Sequence, residues 1–151
     1  MSSERTFVML KPDTTNRGLI GVVLARLEQK GLRLAGLKLL QVSPQQAQAH
    51  YAVHEGKPFY DGLVRYIQSA PVVAVVLEGP NAVAVVRKVV GATRPGEAEP
   101  GTIRGDFGID VSNNLIHASD SVDNAAAETA IYFQPSEILA YSRGIDPWLV
   151  A

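Results

Sequence analysis

Apolar and polar positions along this chain follow patterns that predict most of its secondary structure. Residues 6–10 and 72–77 are short apolar runs bounded by proline or glycine, which is typical of buried strands. Because residues 72–77 (VVAVVL) are apolar at every position, we expect a central strand covered on both faces. Pro12 cannot donate a hydrogen bond to a sheet, so a loop is predicted after Leu10.

Two segments show the period of an amphipathic helix. Within residues 18–30, apolar residues recur at i, i+3, i+4 and i+7, and Gly31 follows where a C-terminal cap is expected. A second helix is predicted to begin at Pro80 and to end at Gly91. Its apolar side is expected to carry Val83, Val86 and Val90.

Boundary residues predict the other elements. Ser43, followed by proline and by Gln46 three positions later, forms the capping-box pattern of a helix start. The expected elements are a strand over 32–42, short helices over 43–51 and 60–69, a strand over 114–118 and a helix over 122–133.

The order of these elements indicates an α+β fold. Strand, helix, strand, helical insert, strand, helix and strand match a ferredoxin-like βαββαβ sandwich, with two helices on one face of a four-stranded antiparallel sheet. A flavodoxin-like parallel sheet is the alternative. With 151 residues and neither an internal repeat nor a linker, residues 1–151 are expected to form one domain.

Composition and charge exclude several classes of protein. The longest apolar run, residues 72–77, is far shorter than the roughly 20 residues that span a bilayer, and the first residues lack the apolar stretch of a signal peptide. We therefore expect a cytoplasmic protein without a membrane partner. The net charge of -1 argues against nucleic-acid binding.

Missing motifs narrow the possible chemistry further. The chain has no cysteine, which excludes thiolate nucleophiles and Cys-ligated zinc. It also lacks GxxxxGK[ST], GxGxxG, GxSxG and HExxH, so phosphate binding would have to use side chains. The loop over residues 91–108, rich in glycine and proline, is the first place to look for a site because it carries Thr93, Arg94, Arg104 and Asp106.

The three histidines differ in their surroundings. His50 and His54 would share one face of a helix, but no third ligand accompanies them, so a solvated helix end is favoured over a metal site. His117 ends an apolar strand and is followed by small polar residues. A lone histidine in a strand is more often structural, so the sequence around His117 does not by itself decide whether His117 is catalytic.

The segment Asn114-Leu-Ile-His117-Ala-Ser-Asp-Ser121 resembles the active-site motif of nucleoside diphosphate kinases. The similarity covers essentially the whole chain. The other matching blocks, in the family's order and spacing, are residues 6–13, 50–51, 57–59, 79–83, 86–87 and 100–107, with Trp148 in the tail.

This resemblance implies a ping-pong enzyme that moves the terminal phosphate of a nucleoside triphosphate, typically ATP, to a nucleoside diphosphate. The phosphate would be carried as phosphohistidine on His117, oriented by Glu128 with Ser119 nearby. Broad base and sugar specificity is expected. Mg²⁺ would arrive on the nucleotide phosphates, so no protein metal site is implied.

The resemblance also assigns the nucleotide contacts. Lys11, Arg87 and Arg104 would be the phosphate-binding cations, and Tyr51 and Thr93 would donate hydroxyl groups. Lys11 and Asn114 would contact the sugar 3′-hydroxyl. The base would stack on Phe59, in a slot shared with Leu63 and Val111.

Three points stay open beside the resemblance. Arg94 and Ser112 depart from the family pattern at positions without an assigned role, and Arg94 is interpreted as a solvated charge. The alternatives to an enzyme are a nucleotide sensor and a nucleic-acid-binding module of similar fold. The tail around Trp148 resembles that of the longer family members, and this resemblance implies a homohexamer rather than a tetramer.

Overall fold

The computed structural model describes residues 3–151, and four strands form one sheet in this range. The strands are β1 (Glu4–Leu10), β2 (Arg33–Leu40), β3 (Val72–Gly79) and β4 (Ile116–Ala118). The helices are α1 (Pro12–Asn16), α2 (Ile20–Gln29), α3 (Pro44–His50), α4 (Tyr60–Ile67), α5 (Ala82–Val90), α6 (Ile103–Phe107), α7 (Val122–Tyr132) and α8 (Asp146–Leu149).

The strand order confirms the predicted ferredoxin-like arrangement. The order across the sheet is β2-β3-β1-β4, and each neighbouring pair is antiparallel. The central pair runs in register from Glu4 opposite Gly79 to Leu10 opposite Val73. The flavodoxin-like parallel alternative is therefore wrong.

The two faces of the sheet are covered by different helices. Along β1, side chains alternate between the faces, and all four from Phe7 to Leu10 are fully buried. Val8 and Leu10 pack with α2 and α5, which are the two helices predicted for one face. Phe7 and Met9 pack with α3, α4 and α7 on the opposite face. This double cover explains why residues 72–77 are apolar throughout.

Three local predictions need correction. The loop expected after Leu10 contains α1. Proline is compatible with the first turn of this helix because an N–H at that position has no acceptor within the helix. Strand β4 begins at Ile116 rather than at residue 114, because Leu115 adopts a left-handed backbone with φ of 77°. On α5, Ala82 rather than Val83 joins Val86 and Val90 in the core.

None of the helices between residues 3 and 151 combines the length and the apolar character that crossing a bilayer requires.

Candidate active site

The sheet places His117 at the centre of the candidate site. On β4, His117 lies opposite Met9 of β1. The turn into β4 is fixed from both sides of Leu115: its N–H donates to Asp13 Oδ2 at 3.0 Å, and its carbonyl accepts from Thr14 Oγ1 at 2.6 Å. A non-glycine residue in the left-handed region costs about 1–3 kcal/mol, which these contacts offset.

Glu128 on α7 holds the imidazole of His117. Glu128 Oε2 lies 2.8 Å from His117 Nε2, and Glu128 Oε1 accepts a hydrogen bond from the hydroxyl of Ser119. Burial opposes ionisation of Glu128, but the hydrogen bonds and charges of His117 prevail and lower its pKa. An ionised carboxylate only accepts hydrogen bonds, so Nε2 is the nitrogen that donates a proton here, and in a neutral imidazole the free lone pair is then on Nδ1.

Lys11 supplies a half-buried cation beside this histidine. Its Nζ donates to Asn114 Oδ1 at 2.8 Å, and Asn114 Nδ2 donates to the carbonyl of Thr93 at 3.0 Å. Burial, followed by the charge of Arg104, lowers the pKa of Lys11 to about 8. The ammonium group is therefore charged at neutral pH.

The two arginines differ in how they are held. Arg104 is only 8% exposed, and its guanidinium donates to three backbone carbonyls. The acceptors are Asn114 at 3.2 Å, Gly91 at 3.1 Å and Ile116 at 2.5 Å. Arg87 is exposed and donates to the carbonyl of Ala118 at 3.2 Å. Burial, followed by the charge of Arg87, lowers the pKa of Arg104 to about 10, so the guanidinium of Arg104 remains charged at neutral pH.

Gly91 is required where α5 meets the long loop. Its φ is 91°, and a Cβ at this position would lie 2.5 Å from the hydroxyl oxygen of Thr102. Glycine therefore lets the loop close against α6, so that the Gly91 carbonyl can reach Arg104.

Two connected cavities collect the predicted residues. The histidine cavity, of about 380 Å³, is lined by Lys11, Tyr51, Arg87, Thr93, Arg104, Asn114, His117 and Glu128 among others. The outer cavity, of about 1030 Å³, is lined by Phe59, Leu63 and Val111 among others. Both share Lys11, Tyr51, Thr93 and Asn114. Ser119 is buried behind the site and contacts it through Glu128.

Two sets of residues were placed wrongly or incompletely by the sequence. His50 is not a solvated helix end: it is 9% exposed, and its ring centroid lies 4.8 Å from that of His117. His50 precedes Tyr51 in one of the blocks that match the family, and this was the sequence signal that could have placed His50 at the site. Arg94 is exposed, as expected of a solvated charge, but Arg94 and Ser112 both line the outer cavity, so the two departures from the family pattern lie at the site.

The fold and the site together define a class. This is a ferredoxin-like α+β protein whose sheet ends in a cavity that combines three cations with a carboxylate-bound imidazole, an arrangement suited to phosphate groups.

Comparisons with known proteins agree with this class. A family model described as nucleoside diphosphate kinase matches residues 4–138. Nucleoside diphosphate kinases of Chloroflexus aggregans and Roseiflexus castenholzii are 55% and 52% identical to this chain. Each alignment covers 97% of this chain and 98% of the relative.

Solved structures give the same result. A halophilic nucleoside diphosphate kinase from Halobacterium salinarum, in complex with CDP, superposes with a TM-score of 0.96 at 47% identity over 99% of this chain and 100% of that one. A family protein from Babesia bovis superposes with a TM-score of 0.95 at 41% identity, covering 97% and 99%. The chain belongs to the nucleoside diphosphate kinase family and is an enzyme with that phosphotransferase activity.

Proposed function

We propose that this enzyme transfers phosphate by a ping-pong route through a phosphohistidine at His117. The observation that carries the proposal is the 2.8 Å contact between His117 Nε2 and ionised Glu128, inside a cavity lined by cations. This contact fixes the proton on Nε2 and leaves Nδ1 as the nucleophile.

In the first half-reaction, Nδ1 of His117 forms a bond to the terminal phosphorus of the donor. The bond between that phosphorus and the bridging oxygen breaks, and its electron pair leaves with the nucleoside diphosphate. In the second half-reaction, a terminal phosphate oxygen of the acceptor attacks the phosphohistidine, and the electron pair returns to Nδ1. Two successive displacements at phosphorus, with the phosphate held on His117 Nδ1 between them, give ping-pong kinetics.

The cations around His117 stabilise the transferring group. A phosphoryl transition state is loose and spreads its charge over three oxygens, so catalysis depends on fixed positive groups. Lys11, Arg87 and Arg104 line the histidine cavity in this role. Burial, followed by the charge of Glu128, raises the pKa of Tyr51 to about 12, so its hydroxyl remains a neutral donor to phosphate.

We propose that Mg²⁺ enters as part of the substrate, chelated by the nucleotide phosphates. Mg²⁺ prefers oxygen ligands in octahedral geometry. In the described residues 3–151, the carboxylates lining the histidine cavity are Asp120 and Glu128, and Glu128 is already bonded to His117 and Ser119. The cavity therefore suits a metal that brings its own phosphate ligands.

Incubation with terminally labelled ATP tests the route. We expect a labelled protein whose label is stable in base, lost in acid and released by any added nucleoside diphosphate. A nucleotide sensor would bind ATP without taking up label. Binding without labelling would therefore contradict the proposed route.

The low pKa of Lys11 predicts a pH dependence. As pH rises through about 8, Lys11 loses its proton, so kcat/KM should fall as the free enzyme loses a phosphate-binding charge. Because the pKa of Lys11 in the folded protein lies below the ordinary lysine value of 10.5, its charged form lowers the stability of the fold below pH 8, and this cost disappears between pH 8 and 10.5.

The pH profile of kcat/KM from pH 6 to 10 checks this prediction. Lys11→Arg should be less active but should lack the decline near pH 8, because arginine keeps its charge. Lys57→Arg, at an exposed position, should retain the decline. An unchanged profile in Lys11→Arg would assign the titration to another group.

Phe59 is predicted to bind bases without distinguishing them. The ring is 51% exposed and lines the outer cavity, so one face can stack on a base. Stacking contributes about 1–3 kcal/mol and does not depend on base identity. Phe59→Ala should raise KM by the same factor for purine and pyrimidine nucleotides, as steady-state kinetics with ADP and CDP would show. Phe59→Tyr is the matched control.

We also propose that the chain is one domain and assembles as a hexamer. Trp148 is 89% exposed in the single chain, and Leu39 on edge strand β2 is 65% exposed, which leaves apolar surface for subunit contacts. Light scattering measures the assembly.

The cytoplasmic location inferred from the sequence stays a prediction.

A further inference from the structure

His50 carries a buried nitrogen that the phosphotransfer reaction does not use. Its side chain is 2% exposed, and Nε2 has no hydrogen-bond partner within residues 3–151. A buried polar atom without a partner costs about 1–3 kcal/mol, so its retention needs a reason. This nitrogen lies 3.9 Å from Glu128 Oε2, beside the carboxylate that holds His117.

Three metal-ligating side chains meet at this point. His50 from α3, His117 from β4 and Glu128 from α7 each offer one ligand atom, and these atoms lie within 4.8 Å of one another. All three residues line the histidine cavity, so an ion has a path to them. No other such group of His, Cys, Asp and Glu occurs in residues 3–151.

We propose that His50, His117 and Glu128 form a binding site for one divalent transition-metal ion, with zinc as the representative. Two imidazoles and one carboxylate are a ligand set that zinc uses when a fourth position stays open to water. Zinc bonds of about 2.0–2.2 Å place tetrahedral ligand atoms about 3.4 Å apart. The distances of 2.8 and 3.9 Å to Glu128 Oε2 lie on either side of that value, and all three ligand atoms lie within 4.8 Å of one another.

The surroundings of His50 prepare it as a ligand. Its Nδ1 lies 2.9 Å from the hydroxyl of Tyr132, and a proton on Nδ1 donated to that oxygen leaves the lone pair on Nε2.

These three ligands do not favour Mg²⁺, the metal carried by the nucleotide. Mg²⁺ prefers oxygen ligands and keeps several waters, whereas two imidazole nitrogens favour zinc and its neighbours in the transition series. The enzyme can therefore bind Mg²⁺-nucleotide without filling this site.

Metal binding at this site blocks phosphotransfer. A metal bound to Nε2 of His117 replaces the proton that Nε2 shares with Glu128. In the neutral ring, this proton moves to Nδ1. Nδ1 then has no lone pair to attack phosphorus. This inhibitory consequence depends on the proposed role of His117, whereas metal binding itself does not.

Equilibrium dialysis of the metal-free, unphosphorylated chain against Zn²⁺ tests the site. We expect one zinc per chain. His50→Phe should weaken binding by at least about tenfold, and Tyr132→Phe, which removes the partner of Nδ1, by about tenfold. His54→Phe is the matched control because His54 lines the same cavity outside the ligand set, and it should bind zinc with unchanged affinity.

Co²⁺ bound to the unmodified protein should give the intense visible absorption of a tetrahedral site. Absence of zinc binding, or equal binding by His50→Phe and the parent chain, would overturn the inference. If the chain takes up zinc but never forms a phosphoprotein, only the proposed route fails. If it is phosphorylated but takes up no zinc, only the metal site fails.

Discussion

His117→Ala should reduce the rate of phosphate transfer between nucleotides by roughly 10⁴- to 10⁶-fold, as expected for loss of a covalent nucleophile. We expect no other side chain to replace this nucleophile. The chain has no cysteine, and the free nitrogen of the neighbouring His50 lies 3.9 Å from Glu128 Oε2. Glu128 keeps its bond from Ser119 but has no imidazole left to orient.

Nucleotide binding by this variant should remain within a few-fold of the parent enzyme. Lys11, Arg87 and Arg104 are unchanged, and none of them hydrogen-bonds to the imidazole. Coupled transfer assays measure the rate, labelled ATP measures the phosphoprotein, and calorimetry measures binding. His54→Ala removes a second histidine from the same cavity and should transfer phosphate at nearly the parent rate. A His117→Ala protein that still took up label normally would end the assignment.

The framework of the fold could be predicted from the sequence because it depends on local pattern. The apolar run of β3 and the helical period of α2 each reflect burial of one chain segment against a sheet. The left-handed backbone at Leu115 could not be predicted in this way. It is imposed by Asp13, about a hundred positions away, and Asp13 is itself held by the Tyr66 hydroxyl at 2.7 Å.

The site could be predicted only in part, for a similar reason. Taken one at a time, Lys11, Glu128 and Phe59 have the appearance of ordinary surface or core residues, and it was their joint spacing that resembled one family. Spacing did not reveal that His50 is buried against His117, because that contact depends on α3 packing across the sheet face beside α7. Nor did it reveal which atoms Arg104 would contact.

Arg104 is expected to be a structural residue as well as a phosphate ligand. Its guanidinium joins the start of the long loop at Gly91 to both sides of the β4 turn, at Asn114 and Ile116. Arg104→Lys replaces the guanidinium with one ammonium group. The Asn114 carbonyl still accepts from the N–H of Ile116 at 2.9 Å, but at least one of the Gly91 and Ile116 carbonyls is expected to lose its donor. At about 1–3 kcal/mol for an unsatisfied buried group, the free energy of unfolding should fall by about 1–3 kcal/mol.

Urea unfolding of Arg104→Lys measures this loss as a lower midpoint with an unchanged slope. Arg87→Lys is the matched control, because Arg87 is exposed and makes one hydrogen bond to Ala118, so its loss should cost less than about 1 kcal/mol. Both variants keep a positive charge and should still transfer phosphate at reduced rates. Equal midpoints for the two would mean that water replaces the guanidinium at the three carbonyls. The loop and the β4 turn would then be held by their own backbone contacts, and Arg104 would act on phosphate alone.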